Sequence, residues 1–349
     1  MNTQQFLQAV ERESDRLDAV LAEFLHPRGP AIPNLDEALL YQLGLDSSDR
    51  TIRGKRLRPA LCLLTCRALG GDDRRAMPFA LAIELMHNFC LIHDDIEDGD
   101  RMRRHRPSLW VRYGLAHGVN AGDYMFCKVF EALVFPPGGD VRYGDQPPLP
   151  PSLRLKFLRL MSDTLDHTHR GQALDINARS RDDFTESDYF TLATEKTGYY
   201  LAAPMVGGAM AAGARSALLR RLLRFGLLMG PVFQIIDDAI DLTEGKGRGE
   251  KGSDIREGKR SFLVALAAGR AAPRDKKRLF RILNKTRGRT TPADVEWVCA
   301  LFERLDVIGD ALRTADEFKE RALRELEGAP QALRDMLSAF AAVMVTRKR

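Results

Sequence analysis

The sequence predicts an all-α protein. Strand signals are scarce along its 349 residues, and most segments repeat their apolar side chains with helical period. Two long apolar helical runs end in the same acidic pattern, Asp-Asp-x-x-Asp, at Asp94–Asp98 and again at Asp237–Asp241.

The elements follow in chain order. Phe6, Val10, Leu17, Val20, Leu21 and Phe24 trace one apolar face of a first helix. Pro27, Pro30 and Pro33 break the chain after it. Arg58-Pro59 opens an apolar helix through Leu69, with proline near the first turn as helix starts prefer, and Gly70-Gly71-Asp72-Asp73 ends it. From Met77 to Ile92 only Glu84, His87 and Asn88 are strongly polar, which predicts a largely buried helix. Phe135 to Pro151, rich in Pro and Gly, reads as an exposed loop. Further helices are expected from Ser152 to Ala178, Glu186 to Ala212, Ala214 to Asp241, Arg260 to Ala268 and Pro292 to Leu326, with breaks inside the longer ones. Pro231 predicts a kink, and Thr346–Arg349 a frayed basic tail. No repeat of fixed period and no linker divides the chain, so residues 1–349 read as a single domain.

Composition excludes several classes of function. A hydrophobic content of 44% is ample for a large core, and the net charge of +5 forms no nucleic-acid-binding stripe. Met1–Gln5 lacks the basic start and apolar core of a signal peptide, and no apolar run is long enough to span a bilayer. Cys62, Cys66, Cys90, Cys127 and Cys299 form no Cys-x-x-Cys pair; they read as reduced core residues of a cytoplasmic protein. Cys62 and Cys66 share a helical face, but no nearby residue completes a zinc site.

The acidic runs carry the chemistry. Asp94 and Asp98 lie a turn apart on one helical face, and so do Asp237 and Asp241. Carboxylates closing a core helix are costly unless cations meet them, and Mg²⁺ is the natural partner, held by one or two carboxylates plus substrate phosphates. One such cluster could be a solvated charge run. Two, each closing a core-like helix, read as two walls of a cavity that clamps a polyanion through several metal ions. Cations accompany them: Lys55, Arg56 and Arg58 in one short stretch, Arg101, Arg103, Arg104 and Arg106 after the first cluster, and Lys251 and Lys259 after the second. His87 stands about two turns before Asp94, on roughly the same face.

These elements, in this order, resemble the trans-isoprenyl diphosphate synthases, the polyprenyl synthetase family. Gly54-Lys55-Arg56-Leu57-Arg58-Pro59 resembles the early basic motif, and Asp94 to Arg104 the first aspartate-rich motif with its trailing Arg-Arg pair. Gly171-Gln172-x-x-Asp175, Lys196-Thr197, Phe233-Gln234-x-x-Asp237-Asp238-x-x-Asp241 and Asp254-x-x-Glu257-Gly258-Lys259 fall where the family has equivalents, so the likeness covers roughly residues 50 to 265. The resemblance implies an all-α bundle around a central cavity, usually a homodimer. It implies a prenyltransferase joining isopentenyl diphosphate to an allylic diphosphate, with three Mg²⁺ ions per site. By resemblance, the catalytic set is Asp94, Asp95, Asp98, Asp237, Asp238 and Lys196, and the metal ligands are Asp94, Asp95, Asp98, Asp237 and Asp241. Arg103, Lys196, Thr197, Gln234, Lys251 and Lys259 would hold the allylic diphosphate; Lys55, Arg58, His87 and Arg104 would hold isopentenyl diphosphate.

Two positions depart from the pattern. Arg248-Gly249 stands where the family often has Gly-Lys, which leaves Lys246, Lys251 and Lys259 as candidates to close over the diphosphate, Lys251 favoured. His105 stands where a glycine commonly follows the Arg pair. In the family an aromatic at the position of Phe89 goes with short products, and a small residue at Cys90 points to twenty carbons rather than fifteen. The expected product is therefore geranylgeranyl diphosphate, with farnesyl diphosphate as the alternative. A class I terpene cyclase would normally lack the second acidic cluster and the early basic motif. A non-catalytic partner subunit would typically have lost aspartates that are all present here.

Overall fold

A computed structural model describes residues 1–27, 29–134, 149–243 and 251–346. The all-α expectation is met: among the described residues the only strand pairing joins Met102–Arg103 (β1) to Arg106–Pro107 (β2). The chain divides into two compact units. The first comprises Met1–Ser162, Ala203–Leu222 and Gly328–Ala339; the second comprises Asp163–Ala202, Leu223–Glu327 and Phe340–Arg349.

The first unit opens with α1 (Thr3–Phe24), started by a capping box in which Asn2 and Gln5 exchange backbone and side-chain hydrogen bonds. The prolines end it as expected, but a short helix that the sequence reading missed, α2 (Asp36–Leu43), follows and stops at left-handed Gly44. Then come α3 (Leu57–Ala68) and α4 (Met77–Glu97). From Met77 to Met86 every residue of α4 is buried, including Glu84. After β1 and β2 the chain forms α5 (Leu109–Tyr113) and α6 (Leu115–Val134). Phe89 of α4 meets Phe126 of α6 with ring centroids 5.2 Å apart, and Phe126 meets Phe130 at the same separation.

Residues 135–148 of the expected loop lie outside the described residues, and Pro151 begins α7 (Pro151–Ala178) rather than ending the loop. The helix expected over Glu186–Ala212 is three pieces: α8 (Glu186–Ala193), a π-helical segment over Thr194–Gly198, and α9 (Tyr199–Ala211). Next is α10 (Ser216–Thr243), which runs on past Pro231. Lys246 and Arg248-Gly249 lie outside the described residues, as do residues 347–349 of the tail.

The second unit continues with α11 (Ser253–Glu257), α12 (Phe262–Arg270), α13 (Pro273–Leu283), α14 (Pro292–Arg304) and α15 (Val307–Arg324); α16 (Gln331–Thr346) closes the chain. The rings of Tyr189, Phe262, Phe190 and Phe318 follow one another there, with successive centroids 5.1, 5.3 and 5.0 Å apart. No helix among the described residues is long and apolar enough to cross a membrane. One cysteine departs from the core reading: Cys62 and Cys66 are buried and Cys90 and Cys299 partly so, but Cys127 is exposed because it lies on the outer face of α6.

Candidate active site

In the first unit, α4 delivers the first acidic cluster. Asp94 and Asp98 are partly exposed, and Asp98 caps the helix by donating its N–H to the Asp94 carbonyl at 2.8 Å. Asp95 faces inward. Its side chain is 1% exposed, and Arg103 Nε reaches its two carboxylate oxygens at 2.8 and 2.7 Å, with Arg103 Nη2 on the first as well. Arg103 gets there by a hairpin: β1 and β2 are joined by Arg104 and His105, both in the left-handed region at φ 49° and 65°. The departure from the family's glycine at His105 thus leaves a tight two-residue turn intact.

The same turn aims Arg104 into the unit. Its guanidinium lies against Gly54, where a Cβ would fall 2.7 Å from Nη2, so glycine is the residue that admits it. Burial, then the neighbouring Arg56, lowers the Arg104 pKa to about 10. His87 shares this surrounding. Desolvation first, then the guanidiniums of Arg58, Arg104, Arg103 and Arg56, pushes its pKa well below the ordinary histidine value. The fold therefore gathers Arg58, His87 and Arg104 around the stretch that bears Lys55, which is exposed. A cluster of one sign with a neutral imidazole beside it is prepared for an anion.

In the second unit, α10 delivers the second cluster, and its aspartates again divide. Asp237 is partly exposed. Asp238, 2% exposed, accepts from Tyr189 Oη at 3.0 Å, from the Phe262 N–H at 3.1 Å and from Lys259 Nζ at 2.9 Å. Asp241 is fully buried and accepts from Ser253 Oγ at 2.6 Å and from the Asp254 N–H at 3.1 Å. Burial alone would lower the Lys259 pKa, but Asp238, Asp254, Asp175 and Asp237 outweigh it and hold the ammonium well above its usual value. Lys259 thus occupies the acidic cluster, whereas Lys251 is exposed.

Lys196 and Thr197 sit on the π-helical segment, a local widening that often marks functional sites. Gly171 of α7 packs against it so closely that a Cβ there would be 2.1 Å from the Lys196 backbone nitrogen. One turn on, Asp175 accepts from Lys196 Nζ at 2.6 Å. Burial opposes ionisation of Asp175, yet Lys196 and Lys259 hold its pKa below the usual value. Thr197 and Gln234 are buried at 5% and 9% exposure.

Sequence reasoning missed Tyr189 and Ser253, which hold the aspartates in place, and it counted Arg56 only as one cation of the basic motif. No local pattern marks what these three bind, because their partners lie elsewhere along the chain, Tyr189 lying 49 residues from Asp238.

Among the described residues no three Asp, Glu, His or Cys side chains form a ready-made metal cage. The donor chemistry nevertheless suits Mg²⁺. Asp94 and Asp98 present hard oxygen a turn apart at a helix end, and a diphosphate can complete an octahedral shell.

An all-α protein with an aspartate cluster at the C-terminal end of each of two long helices, and separate cation clusters, belongs to the class of enzymes that handle prenyl diphosphates. The chain is a member of the polyprenyl synthetase family, whose pattern matches residues 45–302, and it is a prenyltransferase. The family uses Mg²⁺ to bind diphosphate, and the substrates are those of prenyl synthases. It is 34% identical over 301 residues to a short chain isoprenyl diphosphate synthase of Methanothermobacter thermautotrophicus, covering 85% of this chain and 88% of the relative. It is 35% identical to a geranylgeranyl diphosphate synthase of Methanosarcina mazei, over 74% of each chain. The solved geranylgeranyl pyrophosphate synthetase of Pyrococcus horikoshii superposes with a TM-score of 0.84 at 28% identity, over 99% of each chain.

Proposed function

We propose that this protein condenses isopentenyl diphosphate with an allylic diphosphate and releases all-trans geranylgeranyl diphosphate. The observation that carries the reading is the provision for two diphosphates. Carboxylates for metal stand at the end of α4, and a cluster without a metal-binding carboxylate, Lys55, Arg58, His87 and Arg104, forms around the loop before α3. A terpene cyclase, with a single diphosphate, has no use for the second.

Asp94, Asp98 and Asp237 are the carboxylates with surface to offer metal, three Mg²⁺ ions per site. Asp95 and Asp241 act one step behind, since protein donors already occupy them. When bound, Mg²⁺ neutralises the charge that develops on the leaving diphosphate. Arg103, Lys196, Thr197, Gln234 and Lys259 hold the allylic diphosphate, with Lys251 at the surface nearby in sequence. Lys55, Arg58 and Arg104 hold the diphosphate of isopentenyl diphosphate, and His87 donates to it once proton-loaded or from its neutral N–H. The alkene attacks the allylic carbon as its C–O bond breaks; the pair of electrons leaves with diphosphate, which then accepts the proton lost from the new chain. Water must be kept from the cation, which it would otherwise trap as an alcohol.

Product length is supported by the buried Phe89 ring below the aspartates, by the small Cys90 beside it, and by the names the relatives carry. The reading places the enzyme in the cytoplasm as a homodimer. Purified protein given Mg²⁺, isopentenyl diphosphate and dimethylallyl, geranyl or farnesyl diphosphate should yield a twenty-carbon product by chromatography. A product of another length overturns the geranylgeranyl assignment, and no product from any starter overturns the function.

A further inference from the structure

We infer that Arg56 is a positioning residue for isopentenyl diphosphate: it never touches the substrate, and it fixes Lys55 and Arg58 relative to His87. The inference rests on the assignment of those three residues to isopentenyl diphosphate.

Arg56 sits between Lys55 and Arg58 in sequence, yet it points the other way. Its side chain is 0% exposed, so it cannot reach a ligand. Its backbone is left-handed, φ 48°, at the residue that caps the start of α3. A side chain with a Cβ rarely adopts that conformation unless its surroundings impose it. Here they do. Nε donates to Asp18 Oδ1 at 2.8 Å, Nη1 to Glu84 Oε1 at 2.7 Å and Nη2 to the Leu43 carbonyl at 2.6 Å. One planar fork thereby ties the loop to the C-terminal part of α1, the last residue of α2 and the buried half of α4.

The anchors are themselves held. Asp18 Oδ2 takes Arg53 Nη1 at 3.2 Å, and Glu84 Oε1 also accepts from Asn88 Nδ2 at 2.8 Å. Glu84 stands less than one turn before His87 on α4. The Arg56–Glu84 bond is therefore a direct strut from the junction that carries Lys55, just before α3, and Arg58, in the first turn of α3, to the helix that bears His87. A lysine could keep the charge but could not satisfy three acceptors lying in the directions of a guanidinium plane.

The test compares Arg56→Lys, Arg56→Met and Lys55→Ala with wild type. The KM for each substrate and kcat are measured at saturating Mg²⁺, with circular dichroism to report folding. Arg56→Lys should raise the KM for isopentenyl diphosphate on the order of ten- to hundredfold, the scale of a misplaced binding group, and leave the allylic KM within about twofold. Arg56→Met should do at least as much. If the folded Arg56 variants keep a wild-type KM for isopentenyl diphosphate, or raise both KM values equally, Arg56 only stabilises the fold and the inference is overturned. Lys55→Ala separates that outcome from failure of the site assignment: a KM for isopentenyl diphosphate unchanged in Lys55→Ala removes the site itself. Should both Arg56 variants fail to fold, Asp18→Asn weakens one strut and leaves the other two. It must then show the same selective rise, and its absence is equally decisive.

Discussion

Single residues in the two acidic runs have different jobs, and the difference is measurable. Asp94→Ala or Asp237→Ala removes a partly exposed carboxylate with no place in the core, so each should cut turnover by orders of magnitude while helical circular dichroism is unchanged. Turnover near wild type in either variant, at saturating Mg²⁺, would remove that carboxylate from the metal set. His87 makes a second prediction, for stability. Its folded pKa is depressed below the unfolded value of about 6.5 by burial and by four guanidiniums. Below that unfolded value the unfolded chain binds a proton that the folded chain refuses, so stability rises with pH through this window and falls as pH drops from about 7 to 5. His87→Gln should flatten that slope in thermal melts. An unchanged slope would show that other groups set the acid sensitivity.

At the scale of elements, α4 and α6 act as a pair. The hydrocarbon must grow away from the aspartates, and Phe89 of α4 stands more than a turn before Asp94 with its ring against Phe126 of α6. Phe89→Ala should lengthen the product, and Cys90→Phe should shorten it to fifteen carbons, both read by chromatography. Identical chain lengths in wild type and both variants would move the floor to another part of the wall. The elements also show where sequence legibility stops. The long, strongly periodic helices were readable because their own residues decide them. The hairpin of β1 and β2 was not, since its left-handed turn is Arg104-His105 rather than a glycine pair and depends on Arg103 finding Asp95. Nor was the π-helical segment, which depends on Gly171 and Asp175 of a different helix. The motif positions themselves were legible as aspartates; which of them are already occupied was not, because the donors Lys259, Tyr189 and Ser253 come from other segments of the chain.

For the whole molecule, metal and diphosphate should stabilise together. With Asp95 and Asp241 committed to protein donors, each acidic cluster has one carboxylate fewer to offer an ion, and phosphate oxygens are needed to complete an octahedral shell. Mg²⁺ alone is therefore expected to move the Tm by no more than about 1 °C, whereas Mg²⁺ with inorganic diphosphate at 100 times its Kd should add roughly 2.7 kcal/mol of stability. Chelation with EDTA should return the melt to that of the free protein. A large shift with Mg²⁺ alone would mean that the ion has a complete site in the protein.

The division among the aspartates also changes how a silent relative would be recognised. Asp95, Asp238 and Asp241 are bound into hydrogen-bond networks that the fold itself needs, so a descendant that gave up catalysis would still be under pressure to keep them. Its drift would begin at Asp94, Asp98 and Asp237, which are partly exposed. A count of surviving acidic residues is therefore a poor epitaph for activity in such lineages; the letter at the first position of each motif is the one to read.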